Sequence, residues 1–470
     1  MPVLPNEASR QLYQRGTICL TAQHVSGLTM INEQTPIAFQ DPLPKSVDVV
    51  VIGAGVIGMS TAWFLTRAGL DVLVCEKGRV AGEQSSRNWG WVRQQGRDPA
   101  ELPIMMDSMR IWATLAEQTG EDLGFARHGV LYLADTDAEL ARYEQWLEIA
   151  RQHQLDTQML SAAQLDAMIP EGKRQWRGAL YTPSDGRAEP FQAVPGLARA
   201  AQRSGCRIVE NCAVRVIETQ AGAVCGVITE HGPVKAQAVV CAAGVWSSLF
   251  SRNAGVDFPQ LAVRSTVART VPAPDIYNGN AAASDVAFRR RMDRGYTVAL
   301  GNYQEHCLSA DSFRYLSKFL PSLRRSWRDT RVRLRGGILQ RFPPARWQGD
   351  ERAPFERTRV LNPAPCPWAI AQIRARLARR LPALAKLEFA ETWAGMIDVT
   401  PDIVPVIDES PSQRGYFVAA GFSGHGFGIG PGAGRVVADL VLGRPPVHDL
   451  HRFRLSRFSD GTRIEPGPAL

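Results

Sequence analysis

The stretch Val49-Val50-Val51-Ile52-Gly53-Ala54-Gly55-Val56-Ile57-Gly58 decides how this chain is read. Four branched apolar residues predict a buried strand, and three glycines spaced G-x-G-x-x-G follow it at once. Helical spacing then runs through Ala62, Phe64 and Leu65, and a second strand from Asp71 to Cys75 ends at Glu76. Each part has a physical reason. Gly53 allows a tight turn, Gly55 lets backbone approach a pyrophosphate, and Gly58 lets helix pack on strand. The helix start offers unpaired N–H groups to phosphate oxygens, and an acid about 20 residues beyond the glycines is placed to bond ribose hydroxyls. The sequence therefore predicts a dinucleotide site.

At 470 residues, 45% hydrophobic and 21% charged, the chain has ordinary globular composition and enough length for more than one domain. The formal charge of +8 is spread along an Arg-rich sequence, so no nucleic-acid partner is expected. Eight cysteines form no C-x-x-C pair and no cluster with histidine. They read as buried thiols in a reducing, cytoplasmic compartment, with no metal. The uncharged runs Val49–Thr66 and Gly16–Asn32 are interrupted by the glycine turn and by Gln23, His24, Ser26 and Thr29, so no transmembrane segment is expected.

Outside the motif, Ala81–Gly96 is loop-like, and helical spacing marks 101–117, 137–153, 191–204, 311–328 and 373–384. Strands are expected at 129–134, 206–218, 223–229, 234–241, 391–397 and 416–420, with β-like sequence over 263–300. A glycine-dense turn spans 421–434, and a helix 435–442. The expected fold is α/β (α+β): a discontinuous Rossmann-like nucleotide-binding domain (47–130, 191–250 and 385–447) and a β-rich substrate domain (131–190 and 251–384). Residues 1–46 form a leader and 448–470 a tail.

Three separated segments resemble one family: the Val51–Gly78 motif, Val239-Val240-Cys241-Ala242-Ala243-Gly244-Val245-Trp246-Ser247, and Gly415 to Gly428 with its Gly421-Phe422-Ser423-Gly424-His425-Gly426-Phe427-Gly428 turn. They are similar to the FAD-dependent oxidoreductases that include D-amino-acid, glycine and sarcosine oxidases. The resemblance implies FAD, held by Gly53, Gly55, Val56, Ile57, Gly58, Glu76, Lys77, Ser85, Ser86, Arg87, Asn88, Val214, Ala243, Gly244 and Trp246. It also implies that Gly424, His425, Gly426, Phe427, Gly428 and Ile429 lie along the flavin ring, where a helix start can stabilise negative charge. The implied reaction passes hydride from a carbon beside an amine nitrogen to the flavin, leaving an imine that water hydrolyses. No catalytic acid–base pair is assigned. His425 reads as a shape and hydrogen-bond element, and Gln94 and Gln95 as candidate walls.

The sequence departs from that pattern at one informative place. Where glycine and D-amino-acid oxidases carry an arginine that clamps the substrate carboxylate, this chain has Ile397 followed by Asp398. Arg290, Arg291 and Arg294 are candidate replacements, with a solvated basic edge as the alternative, and Asp398 could attract a cationic amine or could simply turn the chain. No cysteine stands near Gly395, where sarcosine oxidases bond flavin covalently, so FAD is expected to be noncovalent. The run Ala81–Arg87 resembles L-amino-acid deaminases, which also lack the clamp. The expected function is oxidation of an amino acid or secondary amine, with oxygen or a quinone or carrier as electron acceptor. The rivals are a flavoprotein acting on an amino-methyl group of tRNA, motivated by the basic run Arg324–Arg335, and a flavin-binding subunit of a hetero-oligomeric dehydrogenase.

Overall fold

The computed structural model describes residues 30–172, 175–334 and 346–467. Residues 1–29 of the expected leader, Arg335 of the basic run and residues 468–470 of the tail lie outside the described residues.

Parallel strands covered on both faces need apolar side chains on both faces, and the first sheet is made that way. Its order is Val406–Glu409, Tyr416–Ala420, Ala238–Cys241, Val49–Ile52, Val72–Cys75 and Arg207–Val209, parallel except at the Val406–Glu409 edge. Val49, Val51, Val72, Val74 and Val240 join the helix-side core with Ile57 and Leu65. Their neighbours Val50, Ile52, Leu73, Val239 and Cys241 point the other way, into a core shared with the three-stranded sheet 214–235. That alternation is the two-residue period of a strand.

The second sheet runs Thr330–Arg333, Gln304–Cys307, Leu261–Thr270, Tyr296–Ala299, Ala287–Arg290, Asn280–Ala282, Val130–Ala134, Gly178–Thr182 and Gln158–Ser161. The strand Phe389–Val399, expected with the nucleotide-binding pieces, instead pairs antiparallel with Leu261–Thr270 over ten residue pairs. It thus brings Met396 and Asp398 from the second sheet to the cavity at the edge of the first.

Three local readings are corrected. The expected turn 421–434 is a turn only to His425, because the helix starts at Gly426 and runs to Val441. Its glycines are close contacts rather than breaks: a Cβ at Gly430 would meet Val56 at 2.6 Å, at Gly432 the Ile104 carbonyl at 2.5 Å, and at Gly434 Ser60 at 2.4 Å. The helix expected over 311–328 is two helices, Ala310–Arg314 and Leu316–Ser326. Cys225 is exposed rather than buried, since strand alternation turns it outward beside the inward Val224; the other six described cysteines are buried.

The described ends are held to the domains. Glu210 accepts from the amides of Ala38 and Phe39, and Met30 and Phe39 are buried. In the tail, Phe453, Leu455 and Phe458 are buried, and Arg457 makes a two-pronged pair with Asp402 at 2.8 and 3.0 Å. Both side chains are nearly inaccessible, so the pair is desolvated. Asp402→Ala strands the Arg457 charge and should cost about 3–5 kcal/mol in urea unfolding. Replacing both partners by apolar residues of similar volume should recover most of that loss.

Candidate flavin site

The cavity lies at the carboxyl ends of the parallel strands, the usual ligand position in an open α/β sheet. Its walls come from the glycine turn, the Glu76 loop, the Ala242–Trp246 turn, Phe355, Met396 and the Phe422–Phe427 turn. Two positions make the glycines obligatory. Gly53 has φ +98°, and a Cβ there would lie 2.7 Å from the Ala242 carbonyl. A Cβ at Gly58 would lie 1.9 Å from the Gly53 carbonyl, so only glycine lets the Val56–Arg67 helix sit on its own turn. The helix start carries no acidic side chain in its first turn, which leaves its positive end available to an anion.

Glu76 ends the second strand with its carboxylate between two amides, Ala54 N and Gly78 N, each at 2.8 Å. Burial pushes its acid constant up to about 7, although Lys77 and the two amides pull the other way. Ser85 accepts from Val56 N at 2.9 Å and so ties the next loop to the helix start. Lys77 borders the cavity, but its ammonium is held by Glu83 at 2.5 Å and by the carbonyls of Thr358 and Arg359. It lies over the Trp246 ring at 4.7 Å.

Of the residues implied to hold FAD, Gly53, Gly55, Val56, Ile57, Glu76, Lys77, Ser85, Asn88, Val214, Ala243, Gly244, Trp246, Gly424, Gly426 and Phe427 border the cavity. Ser86 and Arg87 do not; Arg87 is spent on the carbonyls of Ile31 and Gly82 and on Asn362. Gly428 and Ile429 also lie behind the surface, and the Gly428 carbonyl anchors the helix to Ser108 and Trp112 at 2.7 and 2.9 Å. Phe355 and Cys212 were missed. Phe355 sits in no motif, and Cys212 is placed by the bond from its amide to the Glu76 carbonyl.

His425 stands one layer back and pairs through Nδ1 with Glu101 at 3.2 Å. Burial, reinforced by Arg97, lowers the imidazole to about 4. Burial pushes Glu101 up, but His425 and Arg97 outweigh it and hold the carboxyl below its ordinary range. A neutral imidazole donating to an ionised carboxylate follows, which fixes the ring at the start of the closing helix.

At the opposite wall, Ile397 lies close to Gly424, 3.7 Å from the position of an added Cβ. Asp398 borders the cavity and accepts from the Gly421 amide at 2.7 Å and from Gln260 at 3.4 Å. Gln94 and Gln95 are drawn off by Asp185, which accepts both their amides at 2.7 and 3.0 Å. Arg290 and Arg291 are buried, so the solvated basic edge is ruled out for them, whereas Arg294 is exposed and fits it. Arg290 bonds the carbonyls of Ala273 and Pro274 and stacks on Tyr296. Arg291 pairs with Asp293 and joins Arg187 and Arg289 around the fully buried Glu189. Arg187 Nη1, Arg289 Nε and Arg291 Nη2 have no hydrogen-bond partner there. This cluster lies behind Gly90, whose Cβ would meet Arg289 at 2.8 Å.

A glycine cradle, a helix start facing the cavity, a half-buried carboxylate at the end of the second strand and a cavity reaching a second helix start fit the two ends of FAD. Comparison with known proteins agrees. Mitochondrial sarcosine dehydrogenase of Homo sapiens is 26% identical over 435 residues, which are 90% of this chain and 43% of that protein. The chain thus spans less than half the length of that relative. Sarcosine oxidase subunit beta of Rhodobacter capsulatus is 25% identical, covering 90% of this chain and 92% of that subunit. The solved L-amino acid deaminase of Proteus myxofaciens is 29% identical with a TM-score of 0.87, covering 92% of this chain and 98% of that one. Because the DAO family pattern, FAD dependent oxidoreductase, matches residues 48–440 and so takes in both sheets, the chain belongs to that family.

Proposed function

We propose that this protein oxidises the C–N bond of an amino acid or a secondary amine, leaving an imine that water hydrolyses, with FAD bound noncovalently. The observation that carries this reading is the single cavity joining the Gly53–Glu76 cradle to the closing turn at Gly424–Phe427. Bound FAD supplies the hydride acceptor. The chain's own residues position and seal. The Val56 and Gly426 helix starts face its two ends, Asp398 fixes the Gly421 turn, and Phe355 and Trp246 exclude water. Noncovalent binding is supported by the lining: its thiols are Cys75 and Cys212, at the Glu76 end, and no cysteine stands at Gly395. A reducing, cytoplasmic setting is supported by seven unpaired thiols among the described cysteines.

An amino-acid substrate is supported by the names of the deaminase and sarcosine relatives and by the unspent donors near Glu189. Of the two arginine candidates, Arg291 keeps a free Nη2 donor for a carboxylate, whereas Arg290 is committed to carbonyls. The acceptor is oxygen or a quinone or carrier. A flavin-binding subunit is a second reading, favoured by the match to a subunit along 92% of its length.

Anaerobic titration of the purified yellow protein with sarcosine, N-alkyl amines and L- and D-amino acids tests the proposal. Bleaching of the flavin band by at least one of them is expected, whatever the acceptor; a colourless preparation would sink the reading. Glu76 gives a pH test. Its folded constant of about 7 lies above the unfolded value of 4.5, so the folded state holds the extra proton between them. Stability of flavin-free protein should fall as pH rises from 4.5 to 7, by roughly 3 kcal/mol from this group. Thermal melts across that range should lose much of the slope in Glu76→Gln. Finally, Asp398→Ala should release the Gly421 amide and weaken flavin retention on a desalting column, with equal effect on cationic and neutral substrates. A loss confined to cationic amines would instead assign Asp398 to substrate.

A further inference from the structure

The basic run that suggested RNA in the sequence shares its helix with an apolar stripe. The Leu316–Ser326 helix already buries one face: Phe319, with the preceding Tyr315, packs on Leu261 and Val399. Its opposite face is apolar too. Leu316 is 47% exposed, Leu320 39% and Leu323 39%, and the stripe continues to Phe313 at 68% and Trp327 at 60%. The spacing of four and three residues puts Leu316, Leu320 and Leu323 on one side of this helix, while Phe313 lies on the preceding Ala310–Arg314 helix and Trp327 caps the end. Val332, on the neighbouring edge strand, is also exposed. Scattered exposed leucines need no explanation, but a contiguous stripe rimmed by charge marks a binding surface.

The rim has one sign. From Phe313 to Arg333 there are seven basic residues and one acid, Asp329. Arg314, Arg324, Arg325, Arg328, Arg331 and Arg333 are all exposed, and Arg328 lies 5.2 Å over the Trp327 ring. An anionic occupant follows from the charge. A nucleic acid would use the arginines and leave Phe313 and three leucines in water, because phosphate contacts give apolar side chains nothing. A bilayer surface uses both: leucines and tryptophan at the headgroup–acyl boundary, arginines among lipid phosphates. Among the described residues no helix is long and apolar enough to cross a membrane, so the contact is with the surface.

We propose that the Phe313–Trp327 face docks the protein on an anionic lipid surface. The test is sedimentation of the full-length flavin-loaded protein with phosphatidylglycerol–phosphatidylethanolamine vesicles and with pure phosphatidylcholine vesicles. Binding to the first, weakened by salt, and little to the second is expected. Arg324→Ser with Arg328→Ser and Arg331→Ser should weaken partitioning roughly 100-fold, at about fivefold for each basic residue. Leu320→Ser with Leu323→Ser and Trp327→Ser should abolish it even at low salt. Both triple variants should keep the flavin absorbance and melting temperature of the parent, since these side chains face solvent. Failure to sediment with either vesicle, or equal sedimentation of parent and variants, overturns the proposal. So does self-association, seen by light scattering, that the Leu/Trp variant removes, because the occupant would then be a second copy. Salt-sensitive binding of an RNA oligonucleotide without vesicle binding overturns it in favour of the nucleic-acid reading.

Discussion

Backbone meeting backbone at Gly53 is the constraint on which the site depends. The end of the first strand passes so close to the Ala242 carbonyl that no side chain fits between them, and the same turn carries Gly58 against its own carbonyl. That contact sets the start of the Val56–Arg67 helix, and hence the direction of its positive end. The effect propagates through a second helix. Gly430 and Gly434 let the Gly426–Val441 helix lie against Val56 and Ser60, while Gly432 lets it lie against Ile104. Two helix starts are thereby fixed around one cavity by glycine contacts, without a capping side chain at either.

Charge burial is the second organising cost. Glu101, Glu189, Asp185 and Asp398 are all nearly or fully inaccessible, and Glu76 is half-buried. An isolated buried carboxylate is expensive; Glu76, Asp185 and Asp398 are held by amides, Glu189 by arginines and Glu101 by the His425 ring. Glu76 and Asp398 use backbone amides of the turns they border, so the same bonds that offset their desolvation also define cavity walls. Glu101 and Glu189 use His425 and arginines, one layer back, where they stiffen the scaffold.

Local signals in the sequence located the cradle because its chemistry is contiguous: strand, glycines, helix and acid within 30 residues. The Cys241–Trp246 and Gly421–Phe427 turns were legible for the same reason. What the sequence missed depends on tertiary approach. Glycines in 426–434 read as a turn, since glycine disfavours an isolated helix, and only the close packing of neighbouring helices makes them suit one. Arg87 follows two serines of the flavin loop, yet its long side chain reaches backward to Ile31 and Gly82. Phe355 reaches the cavity from a segment with no motif at all.

The substrate end follows a different logic from the cofactor end. Replacing a clamp arginine by Ile397 leaves the strand beside Gly424 apolar, and an apolar wall there gives a carboxylate no partner. Away from the cavity lining stands the Arg187–Arg289–Arg291 group, where three guanidiniums surround Glu189 and Asp293 balances Arg291. Counting Glu189 and Asp293 against the three arginines leaves one positive charge in excess, together with unpaired N–H donors. Buried unpaired donors are costly, and a carboxylate brought to them would offset that cost. Under the proposed amino-acid reading, the positively charged cluster behind Gly90 is the candidate to hold the carboxylate that Ile397 cannot.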